Sequence, residues 1–114
     1  MAEVVRAWVW WPGPRINVLR VFRDEALASD QDTEVLDEGA RVAAFWELDE
    51  REERTGRLAG VEIVDFLTFS NWSKLPKSNS YWQLPEWDPL PLSKLLKRKQ
   101  QELREESLAP ADSR

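Results

Sequence analysis

The sequence contains no cysteine and no histidine. Without cysteine the chain has no disulfide, no thiolate nucleophile and no zinc-thiolate centre, and nothing in it requires an oxidising compartment. Without histidine it lacks the usual general base near neutral pH and a common transition-metal ligand. Only carboxylates, lysine, tyrosine and hydroxyls remain as catalytic candidates. We therefore expect no catalytic, cofactor-binding or metal-binding residues and a protein that is not an enzyme.

A long apolar run is also missing. The N-terminal run Val4–Trp11 is short, is interrupted by Arg6 and ends in Pro12-Gly13-Pro14, which fits neither a signal peptide nor a membrane span. We therefore expect a cytoplasmic protein with no membrane partner. A chain of 114 residues has the length of one ordinary domain, which buries roughly two thirds of the surface that its unfolded form exposes.

The net charge of −5 is unevenly distributed. Residues 24–62 hold thirteen Asp or Glu against four Arg, whereas residues 1–23 hold four Arg against Glu3. An acidic centre repels nucleic-acid phosphates, so we expect no nucleic-acid partner. The same acidic residues favour a basic protein partner or serve solubility.

Alternating apolar side chains predict four strands, at about residues 4–11, 16–22, 41–48 and 58–66. Both faces of the second predicted strand are largely apolar, so we expect each side of the sheet to be covered. The acidic segment at residues 24–38 is predicted to be a loop or a short helical turn. Short or medium connections between consecutive strands are typical of an antiparallel meander.

The composition changes after residue 67, where prolines are interspersed with large aromatic side chains. These residues are Trp72, Pro76, Tyr81, Trp82, Pro85, Trp87, Pro89 and Pro91. The prolines exclude a continuous helix or a central strand, while burial of each ring is worth roughly 1.5–3 kcal/mol. We therefore predict an irregular Trp/Pro-rich strap across one face of the sheet. Its tryptophans are expected to pack with Trp8, Trp10 and Trp46 in one core.

The C-terminal region has the pattern of an amphipathic helix over about residues 94–107, with Ser93 as its N-cap and a tail from Ala109. Its leucines pack either on its own domain or on another chain, and amphipathicity alone favours neither. The predicted fold is one α+β domain. It combines a four-stranded antiparallel β-meander at 1–67, the strap at 68–92 and the C-terminal α-helix with its tail at 93–114.

Residues 35–42 lead through an acidic hairpin at 48–55 into residues 56–65, which read GRLAGVEIVD. This arrangement resembles the small bacterial domain-of-unknown-function family 2283, whose members show an acidic turn, a D/E/G-rich hairpin and a closing G-R-x-x-G-I-E-I-L-D strand. The resemblance covers about residues 4–70. Because members of the family look like partners of neighbouring toxin-like proteins, it implies an antitoxin-like role with a basic toxin-like partner.

These observations favour a non-enzymatic interaction or regulatory protein that binds a basic protein partner or a second copy of itself as a homodimer. Candidate partner-binding residues lie in the acidic hairpin and on the helix, at Glu50, Glu52, Glu53, Leu95, Leu96, Lys97, Arg98 and Lys99.

Two alternatives remain open. A carboxylate-dependent hydrolase or a small-ligand binder would place Glu47, Glu62 or Asp65 in a Trp-lined cleft, where burial raises a carboxyl pKa. In the competing interpretation Glu62 faces solvent and pairs across the sheet with an arginine such as Arg20 or Arg41. The weaker alternative is single-stranded nucleic-acid binding through the tryptophans and the basic helix.

Overall fold

A computed structural model describes residues 3–24, 31–37, 39 and 41–108 of the chain. The described elements are the strands β1 (Val4–Trp10), β2 (Val18–Arg23), β3 (Gln31–Val35), β4 (Val42–Leu48), β5 (Arg54–Val64), β6 (Tyr81–Gln83) and β7 (Leu90–Pro91), and the helix α1 (Leu92–Leu108). Two short 3₁₀ helices, Phe66–Thr68 and Trp72–Lys74, lie between β5 and β6. The predicted α+β class is confirmed. The predicted tail from Ala109 and residues 25–30 of the acidic segment lie outside the described residues.

The seven strands form one mixed sheet in the order β3-β4-β5-β2-β1-β6-β7. All neighbours are antiparallel except β1 and β6, which run parallel with Val5 opposite Trp82. The prediction of a four-stranded antiparallel meander is therefore wrong. Three further strands are present among the described residues, and β5 rather than β4 lies beside β2, with Val21 opposite Val61.

The strand β3 is not predicted from the sequence, because its acidic side chains are typical of a loop. Side chains of β4 and β5 bind two of its carboxylates. Arg54 Nε lies 2.6 Å from Asp32 Oδ2, and Trp46 Nε1 donates a hydrogen bond of 2.9 Å to Glu34 Oε1. Charged side chains are tolerated at a sheet edge, where they also discourage pairing with other chains.

The predicted strap contributes strands to the sheet as well as lying against it. The three residues of β6 fit between prolines because β6 extends the sheet beyond β1, and Pro91 lies in β7 at the outer edge, where a missing N–H is tolerated. Trp82 in β6 is fully buried, and its Nε1 donates a hydrogen bond to Ser78 Oγ at 3.1 Å.

The helix α1 begins at Leu92, so Ser93 lies inside its first turn and is not the N-cap that the sequence predicts. The side-chain amide of Gln100 donates to the carbonyls of Phe66 and Phe69 at 2.7 and 2.8 Å. These bonds, together with buried leucines, fix the helix on its own domain. Among the described residues no helix is long and apolar enough to cross a membrane.

One side of the sheet, which we call the covered face, packs against α1 and the segments around the 3₁₀ helices. Its strand residues are Val5, Ala7, Leu19, Val21, Val42, Ala44, Val61 and Ile63. Together with Trp82 and the helix leucines they form a single buried cluster. Each large side chain buried there contributes roughly 1.5–3 kcal/mol, so this face supplies most of the apolar stabilisation.

Candidate protein interface on the open face of the sheet

The other side of the sheet, which we call the open face, carries two neighbouring rows of side chains. Across β4, β5, β2 and β1 the first row is Phe45, Gly60, Phe22 and Trp8, and the second is Ala43, Glu62, Arg20 and Trp10. Directly opposed residues of paired strands share a face of the sheet. Trp8 is 48% exposed and Trp10 is 46% exposed, so the described residues leave the β1 end of both rows accessible.

The first row is continuous because its central position is glycine. A Cβ at Gly60 would lie 2.7 Å from Cδ1 of Phe22 and 2.5 Å from the carbonyl oxygen of Val21. With no side chain there, the rings of Phe22 and Phe45 meet with their centroids 5.5 Å apart. Aromatic rings that cover a strand glycine in this way fill the gap that it leaves in the sheet surface.

The second row is built around Arg20. Its Nε lies 2.5 Å from Glu62 Oε1, and its Cζ lies 4.8 Å from the centroid of the Trp10 ring. The predicted cross-strand pairing of Glu62 with an arginine is confirmed, and of the two arginines considered, Arg20 and Arg41, it is Arg20 that pairs. Since one guanidinium both neutralises Glu62 and contacts the indole, this row is charge-balanced and the Trp10 ring is held beside it.

The indole N–H of Trp8 already has a hydrogen-bond acceptor within the chain. Its Nε1 donates a 2.5 Å hydrogen bond to Asp24 Oδ1. A partner that covers the ring therefore does not have to supply an acceptor for the N–H. An accessible surface of rings beside charged groups resembles the core and rim of protein interfaces.

The carboxylates proposed for hydrolysis are each placed beside an arginine. Glu47 Oε2 lies 3.5 Å from Arg57, and Asp65 Oδ2 lies 3.7 Å from Arg41. None of five surface hollows formed by described residues is lined by Glu47, Glu62 or Asp65. Within the described ranges no cluster of three or more acidic side chains is arranged to hold a metal ion. The geometry therefore adds no support to the hydrolase alternative.

The acidic hairpin presents Glu50, Glu52 and Glu53 to solvent at the connection from β4 to β5. Asp49 organises this turn, because its Oδ1 accepts hydrogen bonds from the backbone N–H groups of Arg51 and Glu53 at 2.8 and 3.0 Å. The three glutamates thus remain candidate contact residues.

The predicted contact residues of the helix separate into two groups. Leu95 and Leu96 are both 0% exposed and belong to the core, so they pack on their own domain and we no longer propose them as partner contacts. The basic residues lie outside the core. Lys97 and Arg98 are exposed, with Arg98 Cζ 4.3 Å from the Trp87 ring centroid, and Lys99 Nζ donates to Glu102 Oε1 at 2.6 Å.

The expectation that six tryptophans share one core is wrong for two of them. Trp82 is buried, and Trp46, Trp72 and Trp87 pack partly buried against the core, but Trp8 and Trp10 lie on the open face. A signal for this was present in the sequence. Arg6 alternates in phase with both tryptophans, which indicates that this side of β1 meets solvent.

No family model, curated protein or solved structure matches this chain. The resemblance to family 2283 and the antitoxin-like role that it implies therefore stay predictions.

Proposed function

We propose that this chain is a non-enzymatic protein-interaction domain that buries its open face against a second protein chain. The observation that supports the proposal is the half-exposure of Trp8 and Trp10, at 48% and 46%, side by side on one strand. Tryptophan and arginine are the side chains most enriched among interface residues that dominate binding energy. Trp10 and Arg20 are in direct contact here.

The occupant that this surface fits best is a second copy of the chain. Because Arg20 is paired with Glu62, the centre of the open face carries no net charge to attract a polyanion or a strongly basic protein. A copy related by a two-fold axis presents the same surface in reverse. It can therefore place each Arg20 opposite the other copy's Glu62 while the aromatic rows cover one another.

The test is the oligomeric state across protein concentration, measured by sedimentation velocity. We expect a reversible dimer, and we expect Trp10→Ser to weaken dimerisation by at least about tenfold, as truncation of an interface tryptophan commonly does. Ile16→Ser is the matched control, since Ile16 is 59% exposed but lies outside the strands of the open face. A wild-type chain that stays monomeric at the highest concentration would overturn the dimer.

A second candidate is a basic protein partner at the acidic hairpin, as the antitoxin-like hypothesis requires. It is favoured by Glu50, Glu52 and Glu53, which are exposed and have no counter-ion among the described residues. Affinity capture should compare the wild type, the Trp10→Ser variant and a variant with all three glutamates changed to glutamine. A basic protein lost only with the triple variant would place its binding site at the hairpin. One lost only with Trp10→Ser would assign it to the open face.

A further inference from the structure

A polar hollow of about 410 Å³ lies where β2 ends, β5 begins and the chain approaches β6. It is separate from the open-face tryptophans, neither of which lines it. Its charged lining comprises three cations, Arg23, Arg57 and Lys77, against one carboxylate, Glu3. In a chain with a net charge of −5, this concentration of positive charge in a concave site favours an anionic ligand.

The buried member of the cluster is Arg23, whose side chain is 3% exposed. Its Nε donates to the carbonyl of Leu58 at 2.9 Å, but Nη1 has no hydrogen-bond partner among the described residues. Its Nη2 lies 3.6 Å from Glu3 Oε1, which is beyond hydrogen-bond distance. Nη1 is inaccessible, and the guanidinium lies over the Trp82 ring with Cζ 5.6 Å from its centroid. The group can therefore gain a closer acceptor at Nη2, in the place that Glu3 now takes.

Glu3 shows how an oxyanion sits in the hollow. Its carboxylate accepts 3.2 Å hydrogen bonds from Arg57 Nη2 and from Ser80 Oγ. Partial burial raises the pKa of Glu3, but the charge of Arg23 and the bonds from Ser80 and Arg57 outweigh it, so the pKa lies below its ordinary value. Arg57 Nη1 also lies 3.5 Å from Glu47 Oε2, so the charge of Arg57 is shared between two carboxylates. Arg23 and Lys77 therefore carry most of the positive charge that is available to a ligand.

Lys77 and Ser78 add donors to the same side of the hollow. Lys77 is exposed and has no ion pair among the described residues. The Ser78 hydroxyl oxygen accepts bonds from the Trp82 indole and from the backbone N–H of Ser80, at 3.1 and 3.2 Å. With its oxygen occupied twice, the hydroxyl hydrogen of Ser78 is free to be donated to a ligand.

We propose that this hollow binds a phosphate monoester, held by Arg23, Arg57 and Lys77 in competition with the carboxylate of Glu3. Guanidinium groups match the oxygens of a phosphate geometrically, and lysine adds a point charge. When a ligand displaces Glu3, Glu47 still neutralises Arg57. Arg23 and Lys77 then leave two positive charges. A phosphate dianion balances both of them, whereas a single carboxylate balances one.

The experiment is isothermal titration calorimetry of the full chain at low ionic strength, with inorganic phosphate, O-phosphoserine and acetate as separate titrants. We expect both phosphates to bind saturably and acetate to bind at least about tenfold more weakly, because charge-assisted hydrogen bonds to a dianion are the strong ones. Tighter binding of O-phosphoserine than of inorganic phosphate would identify the monoester as the ligand. Equal binding of acetate would overturn the phosphate class.

Two variants at exposed positions are expected to act in opposite directions. Lys77→Ala should weaken phosphate binding about tenfold, the effect of losing one charged hydrogen bond, whereas Glu3→Gln should strengthen it by removing the competing carboxylate. Lys74→Ala is the matched control, since Lys74 is exposed on the same segment but outside the hollow. Equal losses in Lys77→Ala and Lys74→Ala, or no binding even to the Glu3→Gln variant, would reject the site.

Discussion

Along β1 the side chains alternate between the two faces of the sheet with opposite outcomes. Val5 and Ala7 are 4% and 2% exposed on the covered face, while Trp8 and Trp10 are 48% and 46% exposed on the open face. The largest apolar side chains of the strand are thus the ones left outside. Burial here is decided by which side α1 covers, because a period of two sends neighbours to opposite faces whatever their size.

The chemistry of the two faces differs in the same way. Aliphatic side chains of β1, β2, β4 and β5 line the covered face, and they interlock as a core does. The open face instead combines rings with the Arg20–Glu62 pair. The open face therefore leaves apolar ring area accessible, whereas the covered face has buried its apolar area against α1 and the segments around the 3₁₀ helices.

The largest effect is expected on the covered face. Leu96→Ala should lower the free energy of unfolding by about 2–5 kcal/mol, because it removes a fully buried side chain and leaves a cavity. Urea denaturation measures the loss. The neighbouring Lys94→Ala, at an exposed position of the same helix, should change stability by less than about 0.5 kcal/mol. Similar losses in both variants would mean that the helix does not depend on this face.

Gly60→Ala is expected to have an intermediate effect and tests the continuity of the aromatic row. The added methyl would approach Phe22 and the Val21 carbonyl too closely, so we expect a cost of roughly 1–3 kcal/mol. Denaturation gives the stability, and near-UV circular dichroism reports the displaced rings. An unchanged spectrum with unchanged stability would show that the rings do not meet across the glycine.

The Arg20–Glu62 pair is expected to contribute little to folding. Both side chains are partly exposed, at 43% and 23%, so a double-mutant cycle with Arg20→Ala and Glu62→Ala should give a coupling of about 0.2–1 kcal/mol. Added salt should reduce it. A coupling energy well above this range would indicate that water is excluded from the Arg20–Glu62 pair even in the isolated chain.

The smallest effect concerns pH and lies outside both faces. Because the folded pKa of Glu3 is lowered below its ordinary value of 4.5, its ionised form stabilises the fold above that pH and the contribution is lost as pH falls through the folded pKa. The stability difference between the wild type and Glu3→Gln should be constant near neutral pH and shrink below about pH 4.5. A stability difference that grows on acidification would contradict the lowered pKa of Glu3.

The sequence predicted the elements whose apolar period is strong. Four of the strands and the helix were recognisable because alternation and the leucine spacing are local properties. The strands β3 and β6 were not, since β3 is polar and β6 is three residues between prolines. Both form because the edge of a neighbouring strand, β4 or β1, has unpaired backbone N–H and C=O groups. The order of side chains within a short segment does not predict such pairing.

For the candidate interface, the alternation of β5 predicted a cross-strand arginine for Glu62, with Arg20 and Arg41 both open, and the pairing of β2 with β5 selects Arg20. The exposure of Trp8 and Trp10 did not, because hydrophobicity alone assigns an indole to the core. Which face α1 covers depends on distant contacts such as those from Gln100 to Phe66. The cluster at Arg23 was equally hidden, since it joins Glu3, which precedes β1, to residues of β2, β5 and the segment before β6.

The parallel pairing of β1 with β6 sets an order of events during synthesis. Glu3 and Ser80, which meet at the start of this pairing, are 77 positions apart. Until Tyr81–Gln83 has been synthesised, the edge of β1 that pairs with β6 has no strand partner. Because non-local parallel pairing forms slowly, we expect the unpaired edge of β1 to be the site most prone to aggregation in an incompletely folded chain.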